Sequence, residues 1–210
     1  MLLLHDPVTG RPRVPAGTLT AGVVGGVLAD MVLTGQVRVV RGLVRPGTGL
    51  PIERLGRVVS QRVRSHPDRD VSYWLEHLDP VPDLVVARLV RARLIRQVRA
   101  RDAGSWWRRS RILIPAGPGH SRWLARQVGL ILTGPGPLTT RELVLAGLVD
   151  GTGLLPAVVH AAGPASGTDP AFIARARTRI RRAHGRAPVP GCTEICAEVG
   201  RIARGPVLLP

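Results

Sequence analysis

The sequence predicts a mostly α-helical protein with two or three short β-hairpins, and two observations support this fold class. Aromatic residues make up only 3% of the 210 residues, so the core must consist of Leu, Val, Ile and Ala, a composition that favours packed helices. In most of the longer segments apolar residues recur at helical spacing, and turns rich in Gly and Pro separate these segments. A chain of this length suits one sizeable core, so we expect a single domain over residues 1–210.

The first part of the chain contains two predicted hairpins and a predicted central helix. Residues 2–14 are expected to form a hairpin because DPVTG has the chemistry of a turn. Residues 18–33 are apolar on nearly all sides of a helix, which is typical of a buried helix, and their glycines indicate a neighbouring helix that crosses closely. Residues 36–51 are predicted to form a short strand pair joined by a loose turn of Gly and Pro.

Helices are predicted for most of the remaining chain. Asp70 is the expected N-cap of a short helix, VSYWLEHL, and Thr139 or Thr140 begins another that continues through ELVLAGLV. Residues 161–170 are expected to form a loop. The other predicted helices cover residues 52–64, 82–101, 122–133, 171–184 and 193–203.

The helix predicted over residues 82–101 carries arginines on one face. At about 100° per residue, Arg88, Arg91 and Arg99 fall within about 80° of one another. The predicted apolar side consists of Val86, Ala87, Val90 and Leu94, with Val98 at its edge. This helix is therefore expected to be amphipathic with a basic face.

The formal charge of the chain is +16, and all 30 of its Lys-or-Arg positions are arginine. Strong G+C bias in a genome produces such a composition on its own, so the preference for arginine has a simple explanation that involves no binding chemistry. The absence of lysine excludes a P-loop lysine, a Schiff-base lysine and the strand lysine of protein kinases.

The positive charge is concentrated in one part of the chain. Between Leu84 and Arg141 there are twelve arginines and one acidic residue, Asp102, so this segment carries +11 of the +16. Such a local excess is unfavourable through self-repulsion unless a polyanion or an anionic surface offsets it. The expected partner is therefore anionic, either nucleic acid or lipid headgroups.

The sequence contains no recognisable pattern of catalytic or metal-binding residues. The six histidines are scattered, and none lies at metal-ligand spacing from another His, Cys or carboxylate. Ser166 lies one position away from the nucleophile-elbow pattern, and the GPG turns at 117–119 and 134–136 lack the strand-turn-helix setting of a nucleotide-binding loop. We therefore expect no enzyme activity, no catalytic residue, no metal and no cofactor.

Three features of the sequence indicate the cellular compartment of the protein. Cys192 and Cys196 are four residues apart in a predicted helix, a spacing that rarely allows a disulfide, so we expect buried thiols in a reducing compartment. The N-terminus has no basic segment and meets Asp6 early, unlike a signal peptide. No 18 consecutive residues are apolar without interruption, so no membrane span is expected. These features predict a cytoplasmic protein and leave peripheral association with a membrane open.

Five segments occur in an order found in a known family. They are LLLHDPVTGRP, GVVGGVLADMVLTGQVRV, DVSYWLEHL, ARLVRARL and TTRELVLAGLVDGTGLLPAVV. Together they resemble the Golgi phosphoprotein 3 family of phosphoinositide-binding proteins. The resemblance implies a single helical domain around a central helical bundle, which binds membranes through the headgroup of phosphatidylinositol 4-phosphate.

The resemblance also implies roles for individual residues. Two arginines three apart on one helix contact the phosphate in this family, and Arg88 and Arg91 occupy these positions in ARLVRARL. With Arg99 from the same predicted face, they are the candidate headgroup ligands. Eukaryotic members have tryptophan and arginine where this chain has Pro15 and Val24, so we expect affinity for anionic lipid in general. Eukaryotic members also hold glycosyltransferases by their cytoplasmic tails, which makes such tails an implied partner.

The segment SWWRRSRILIP, residues 105–115, follows the arginine helix. In the family this region is a β-hairpin whose apolar tip enters the membrane and joins subunits. Indole rings prefer the headgroup level of a bilayer, and each arginine gains about 1 kcal/mol from anionic headgroups. Alternatively, the tryptophans cover an edge of the core and the ILI triplet is an internal strand. The residues assigned to a membrane-inserting or oligomerising hairpin are Trp106, Trp107, Arg108, Arg109, Arg111, Ile112, Leu113 and Ile114.

Three functions are compatible with these features. The favoured one is a peripheral membrane adaptor, able to form homo-oligomers, that recognises anionic phospholipid headgroups through a basic helix face and an apolar hairpin. The alternative is a nucleic-acid-binding regulatory protein that uses the arginine-rich helix on phosphates. Against the alternative, the basic face has few Asn, Gln or Ser residues to contact base edges. The third is a structural or interaction protein in which the arginines only maintain solubility.

Overall fold

The fold is mostly helical, as the computed structural model of the protein shows for residues 2–6, 9–99, 111–162, 170–186 and 189–205. A 3-10 turn, Leu2–Leu4, precedes the first α-helix. The helices of the first half are α1 (Ala16–Leu33), α2 (Arg54–Ser65), α3 (Val71–His77) and α4 (Pro80–Arg91). Those of the second half are α5 (Pro118–Thr133), α6 (Thr140–Gly151), α7 (Leu155–Ala162), α8 (Pro170–Arg186) and α9 (Cys192–Arg204). The predicted fold class is therefore confirmed.

Four short strands form two antiparallel hairpins. Strands β1 (Val37–Val40) and β2 (Leu43–Pro46) pair through a tight turn in which Arg41 has a φ of 53° and Gly42 a φ of 78°. Strands β3 (Ile95–Arg99) and β4 (Arg111–Pro115) form the second pair. The N-terminal hairpin predicted over residues 2–14 is reduced to one bridge, between His5 and Pro12.

Helix α1 is the central helix, as predicted. It packs against α9, α6, α3 and α4, and a core of aliphatic side chains surrounds it. Its approach to α9 is close at Gly25, where a Cβ atom would lie 2.7 Å from Cγ2 of Val199. Its 18 residues have a mean hydropathy of 1.6, which is enough in length and composition for a membrane span, and buried core helices commonly have the same composition.

Two apolar clusters hold the helices together. The first joins α1 to α2, α3 and α9 and includes Leu28, Val59, Trp74 and Ile195. The second joins α5, α6, α7 and α8 and contains only aliphatic side chains among its buried members. Full burial of each Leu or Ile side chain contributes about 1.5–3 kcal/mol, so these clusters supply the main stabilisation of a chain that is poor in aromatic residues.

The prediction of one helix over residues 82–101 is wrong for the second half of that segment. Helix α4 ends at Arg91, and residues 95–99 form β3. The end is a Schellman motif: the Leu94 amide donates to the Leu89 carbonyl at 2.9 Å, and Arg93 adopts a φ of 56°. The predicted apolar face is correct for Val86, which is buried, and wrong for Ala87 and Val90, which are exposed. The other core-facing residues of α4 are Val81 and the half-buried Leu84 and Val85.

Both N-caps that the sequence predicts for short helices are present. Oδ1 of Asp70 accepts a hydrogen bond from the Tyr73 amide at 2.8 Å. Thr139 begins α6 with a capping box, in which its hydroxyl accepts from the Glu142 amide and the Glu142 carboxylate accepts from the Thr139 amide at 2.7 Å. Helix α7 is additional to the predicted elements, and it turns away from α6 by 118° after Gly153.

Replacement of the α6 cap is expected to lower stability. Thr139→Ala leaves the Glu142 amide without its side-chain acceptor, so the free energy of unfolding should fall by about 1 kcal/mol. Urea denaturation followed by circular dichroism measures this change. Thr140→Ala is the matched control because Thr140 is the first residue within the helix and lies outside the cap. An equal loss in both variants would contradict a specific role of the cap.

Candidate functional site

The last turn of α4 presents two of the arginines predicted to bind a headgroup. Arg88 and Arg91 are both exposed, and they lie three residues apart at the C-terminal end of the helix. Cations are favourable there because the carbonyl end of a helix carries partial negative charge. The helix dipole therefore favours two cationic side chains at this end of α4.

Only one of the two arginines has a carboxylate partner among the described residues. Nη2 of Arg88 lies 3.1 Å from Oε1 of Glu53, and both side chains are about half exposed. No ion pair joins Arg91 to an acidic residue within the part of the chain that the structure describes. An exposed pair of this kind contributes about 0–1 kcal/mol, so an anionic ligand competes readily for Arg88.

Helix α2 completes a basic groove with α4. The groove has a volume of about 930 Å³ and is lined by four arginines and two acids: Arg54, Arg57, Arg88, Arg91, Glu53 and Asp83. We call it the arginine groove. Arg54 and Arg57 lie in the first turn of α2, which has no acidic residue and where cations are unfavourable because of the helix dipole. These two arginines are not among the site residues predicted from the sequence.

Arg88 also borders a second groove, which is mostly apolar. This groove lies between α1 and α4, has a volume of about 690 Å³, and is lined by Gly22, Gly26, Ile52 and Leu89 among others. Its acidic members are Asp30 and Glu53. Arginines outnumber acids in the arginine groove but not in this second groove, so an anion is expected in the arginine groove.

The third predicted headgroup ligand, Arg99, is not on the arginine helix. It is the last residue of β3, where it pairs in register with Arg111 of β4. Its assignment to the same face as Arg88 and Arg91 is wrong because that face assumed a continuous helix. The sequence alone gives little warning of this break, since Arg93 occupies a left-handed position that glycine normally fills.

The predicted hairpin residues lie partly within the described chain. The segment from Arg111 to Ile114 belongs to β4, with Ile112 opposite Val98 and Ile114 opposite Arg96. The ILI triplet is therefore a strand, and the hairpin begins at Ile95, earlier than predicted. Trp106, Trp107, Arg108 and Arg109 lie outside the described residues.

The two positions that depart from the eukaryotic pattern lie away from the arginine groove. Val24 is fully buried in the core around α1. Pro15 precedes α1 and lines a different cleft, together with Thr18 and Arg177. The structure therefore does not bring these positions together with Arg88 and Arg91 in one groove.

A second basic surface occurs on α8, the helix predicted over residues 171–184. It forms one wall of a cleft of about 840 Å³ and contributes Arg175, Arg179, Arg182 and Arg186. Arg179 donates hydrogen bonds to the carbonyl oxygens of Leu132 (3.2 Å), Gly134 and Gly136. This arginine therefore ties α8 to the loop after α5.

The cysteines are buried thiols, as predicted. Neither Cys192 nor Cys196 forms a disulfide, and burial raises the pKa of Cys192 to about 11 and that of Cys196 to about 12. Both thiols are therefore protonated and poorly nucleophilic at neutral pH. Within the described ranges no group of three or more His, Cys, Asp or Glu residues is placed to hold a metal ion.

These features define a class of protein: a mostly helical fold with a solvent-exposed groove in which arginines outnumber acids. A sequence model of the family described as Golgi phosphoprotein 3 (GPP34) matches residues 1–194. The chain therefore belongs to the Golgi phosphoprotein 3 family. No curated protein sequence gives a significant match to it.

The left-handed residue at the end of α4 makes a prediction about stability. Arg93→Gly removes the steric cost of a φ of 56°, so we expect the free energy of unfolding to rise by about 0.5–1 kcal/mol. Thermal and urea denaturation measure the change. Ala92→Gly is the control, since Ala92 has a φ of −74° and gains nothing from glycine. A loss of stability in Arg93→Gly would contradict the assignment of strain to this position.

Proposed function

We propose that the protein binds anionic phospholipid headgroups in the arginine groove and acts as a peripheral membrane protein of the cytoplasm. The observation that supports this most strongly is the convergence of four arginines from two helices on one exposed groove, against two acids. Membership of the Golgi phosphoprotein 3 family agrees with this proposal.

The chemistry of the groove suits a phosphate group. Guanidinium groups donate paired hydrogen bonds to phosphate oxygens, and the donors of Arg88 and Arg91 are exposed at one helix end. Repulsion among the four arginines, together with the positive end of α2, raises the free energy of the empty groove. An anion relieves this repulsion, which favours binding to a negatively charged membrane surface.

The protein is expected to bind a broad range of anionic lipids. A phosphatidylinositol 4-phosphate-like headgroup is the ligand that the family resemblance implies. Val24 is buried and Pro15 lines another cleft, so neither position contributes to recognition in the groove. We therefore propose that the protein binds anionic phospholipids in general, and that the density of negative charge on the membrane surface mainly determines the affinity.

The β3–β4 hairpin is the second proposed membrane contact. Strand β3 follows the end of α4, and the chain between the two strands contains Trp106 and Trp107. Tryptophan and arginine together suit the headgroup level of a bilayer. Self-association through this hairpin and the binding of cytoplasmic tails of membrane proteins belong to the same proposal, which treats residues 1–210 as one domain.

Nucleic acid is the competing ligand. The arginine-bearing helix is shorter than predicted and ends at Arg91, and its two arginines face a groove shared with α2. This arrangement offers a short cluster of cations where a duplex requires a longer track of phosphate contacts. The structure therefore favours a headgroup over a duplex.

Removal of the two α4 arginines tests the headgroup proposal. At about 1 kcal/mol for each headgroup contact, Arg88→Gln/Arg91→Gln should weaken binding to vesicles with anionic lipid roughly 30-fold. Co-sedimentation with vesicles measures the affinity, and vesicles of phosphatidylcholine alone give the background. Arg62→Gln/Arg64→Gln removes the same charge from the opposite end of α2.

The proposal fails if the control pair weakens vesicle binding as much as the α4 pair does. It also fails if the wild-type protein binds duplex DNA and leaves anionic vesicles untouched. Retention of the thermal transition in both variants confirms that the comparison concerns binding and not folding.

The hairpin contact is tested separately. Trp106→Ala/Trp107→Ala should weaken vesicle binding because it removes the indole rings that prefer the headgroup level. The melting temperature should stay within a few degrees of the wild type. A large fall in melting temperature, with vesicle binding per folded molecule unchanged, would show instead that the tryptophans cover an edge of the core.

A further inference from the structure

Two apolar side chains project from the loop that precedes α2. Leu50 is 83% exposed and Ile52 is 87% exposed, more than the other large apolar side chains among the described residues. They occupy alternate positions, and Pro51 between them is half-buried and packs toward α2 near Gly56. The loop therefore directs two apolar side chains outward and one inward.

Hydrogen bonds hold this loop in place on both sides. The amides of Gly47 and Gly49 donate to the carbonyl oxygens of Gln36 (2.9 Å) and Gly35 (2.8 Å). On the other side, Nη1 of Arg57 donates to the Ile52 carbonyl at 3.0 Å. These bonds hold the loop backbone in the conformation that exposes both apolar side chains.

The loop is continuous with the arginine groove. Glu53, which follows Ile52, forms the 3.1 Å ion pair with Arg88. Ile52 also lines the apolar groove beside Arg88 and Leu89. The exposed apolar side chains therefore lie at the border of a cationic surface, an arrangement typical of segments that enter the headgroup region of a bilayer.

The positive charge of the protein favours an anionic membrane over a second copy of the chain as the occupant of this surface. A second copy of the chain would bring another net charge of +16 toward the arginines, which disfavours a symmetric contact through this face. An anionic bilayer offers negative headgroups to the arginines and an apolar layer to the two side chains. Full burial of one Leu or Ile side chain contributes about 1.5–3 kcal/mol, so partial burial of two is significant.

We infer that Leu50 and Ile52 form an apolar wedge that inserts into the headgroup region of an anionic membrane when the arginine groove binds headgroups. This inference rests on the proposed function and adds a second, non-electrostatic contribution to it. The wedge is separate from the β3–β4 hairpin, since it belongs to the loop before α2.

An environment-sensitive fluorophore at position 52 tests insertion directly. Ile52→Cys provides a labelling site, and the buried Cys192 and Cys196 thiols, with their raised pKa values, do not compete for the reagent. A nitrobenzoxadiazole label should shift its emission to the blue and gain intensity severalfold on anionic vesicles. Gln61→Cys, at an exposed position in α2, is the control and should change little.

Substitution of the wedge tests its contribution to affinity. Leu50→Ser/Ile52→Ser should weaken binding to anionic vesicles about tenfold without changing the thermal transition, because both side chains are exposed. Phe172→Ser removes an exposed apolar residue from α8 and should leave vesicle binding unchanged. The loss in the wedge variant should persist at high salt, where headgroup attraction is screened.

The outcomes separate the wedge from the headgroup proposal. If Arg88→Gln/Arg91→Gln weakens binding while the wedge variant and the label do not respond, the wedge is overturned alone. If the wedge variant weakens binding and the arginine variant does not, the headgroup proposal fails, and the coupling of insertion to headgroup binding in the groove is overturned with it. No binding of the wild type to anionic vesicles overturns both. A label response that follows protein concentration without vesicles shows a second copy on this face and overturns the wedge.

Discussion

The arrangement of the whole fold depends on the close packing of α1 with the helices around it. Because Gly25 has no side chain, α9 approaches α1 until Val199 fills the space that a Cβ atom would need. Helices α3, α4 and α6 then surround α1 on its other sides, and α2 packs beside α4. This order of packing positions the C-terminal turn of α4 next to the N-terminal turn of α2. The arginine groove is thus a consequence of helix packing around a central apolar helix.

Features fixed by local chemistry were predictable from the sequence. The caps at Asp70 and Thr139 depend on residues three positions away, and the all-round apolarity of α1 reflects its burial. The break after Arg91 was not predictable in this way, because arginines and aliphatic residues continue at helical spacing beyond it. Pairing of β3 with β4 overrides that periodicity and places Arg93 in a conformation that its residue type disfavours.

The candidate site was predictable only in part for the same reason. Arg88 and Arg91 share a helix, so their spacing shows that they lie together. Arg54 and Arg57 join them through contact between α2 and α4, and no local pattern reports such a contact. For Arg99 the helical spacing was misleading, because it predicted a position beside Arg88 and Arg91 that the residue does not occupy. The exposure of Leu50 and Ile52 was likewise not predictable, because both residues lie in or beside a turn rich in Gly and Pro that has no regular pattern.

The cationic side chains of the groove are all arginine, and this has a consequence for control. A guanidinium group keeps its proton throughout the physiological pH range, and none of the groove's cations is a target for lysine acetylation. The positive charge of the groove is therefore outside the reach of lysine acetylation. If the proposed binding to an anionic membrane occurs, ionic strength and the fraction of anionic lipid would control it.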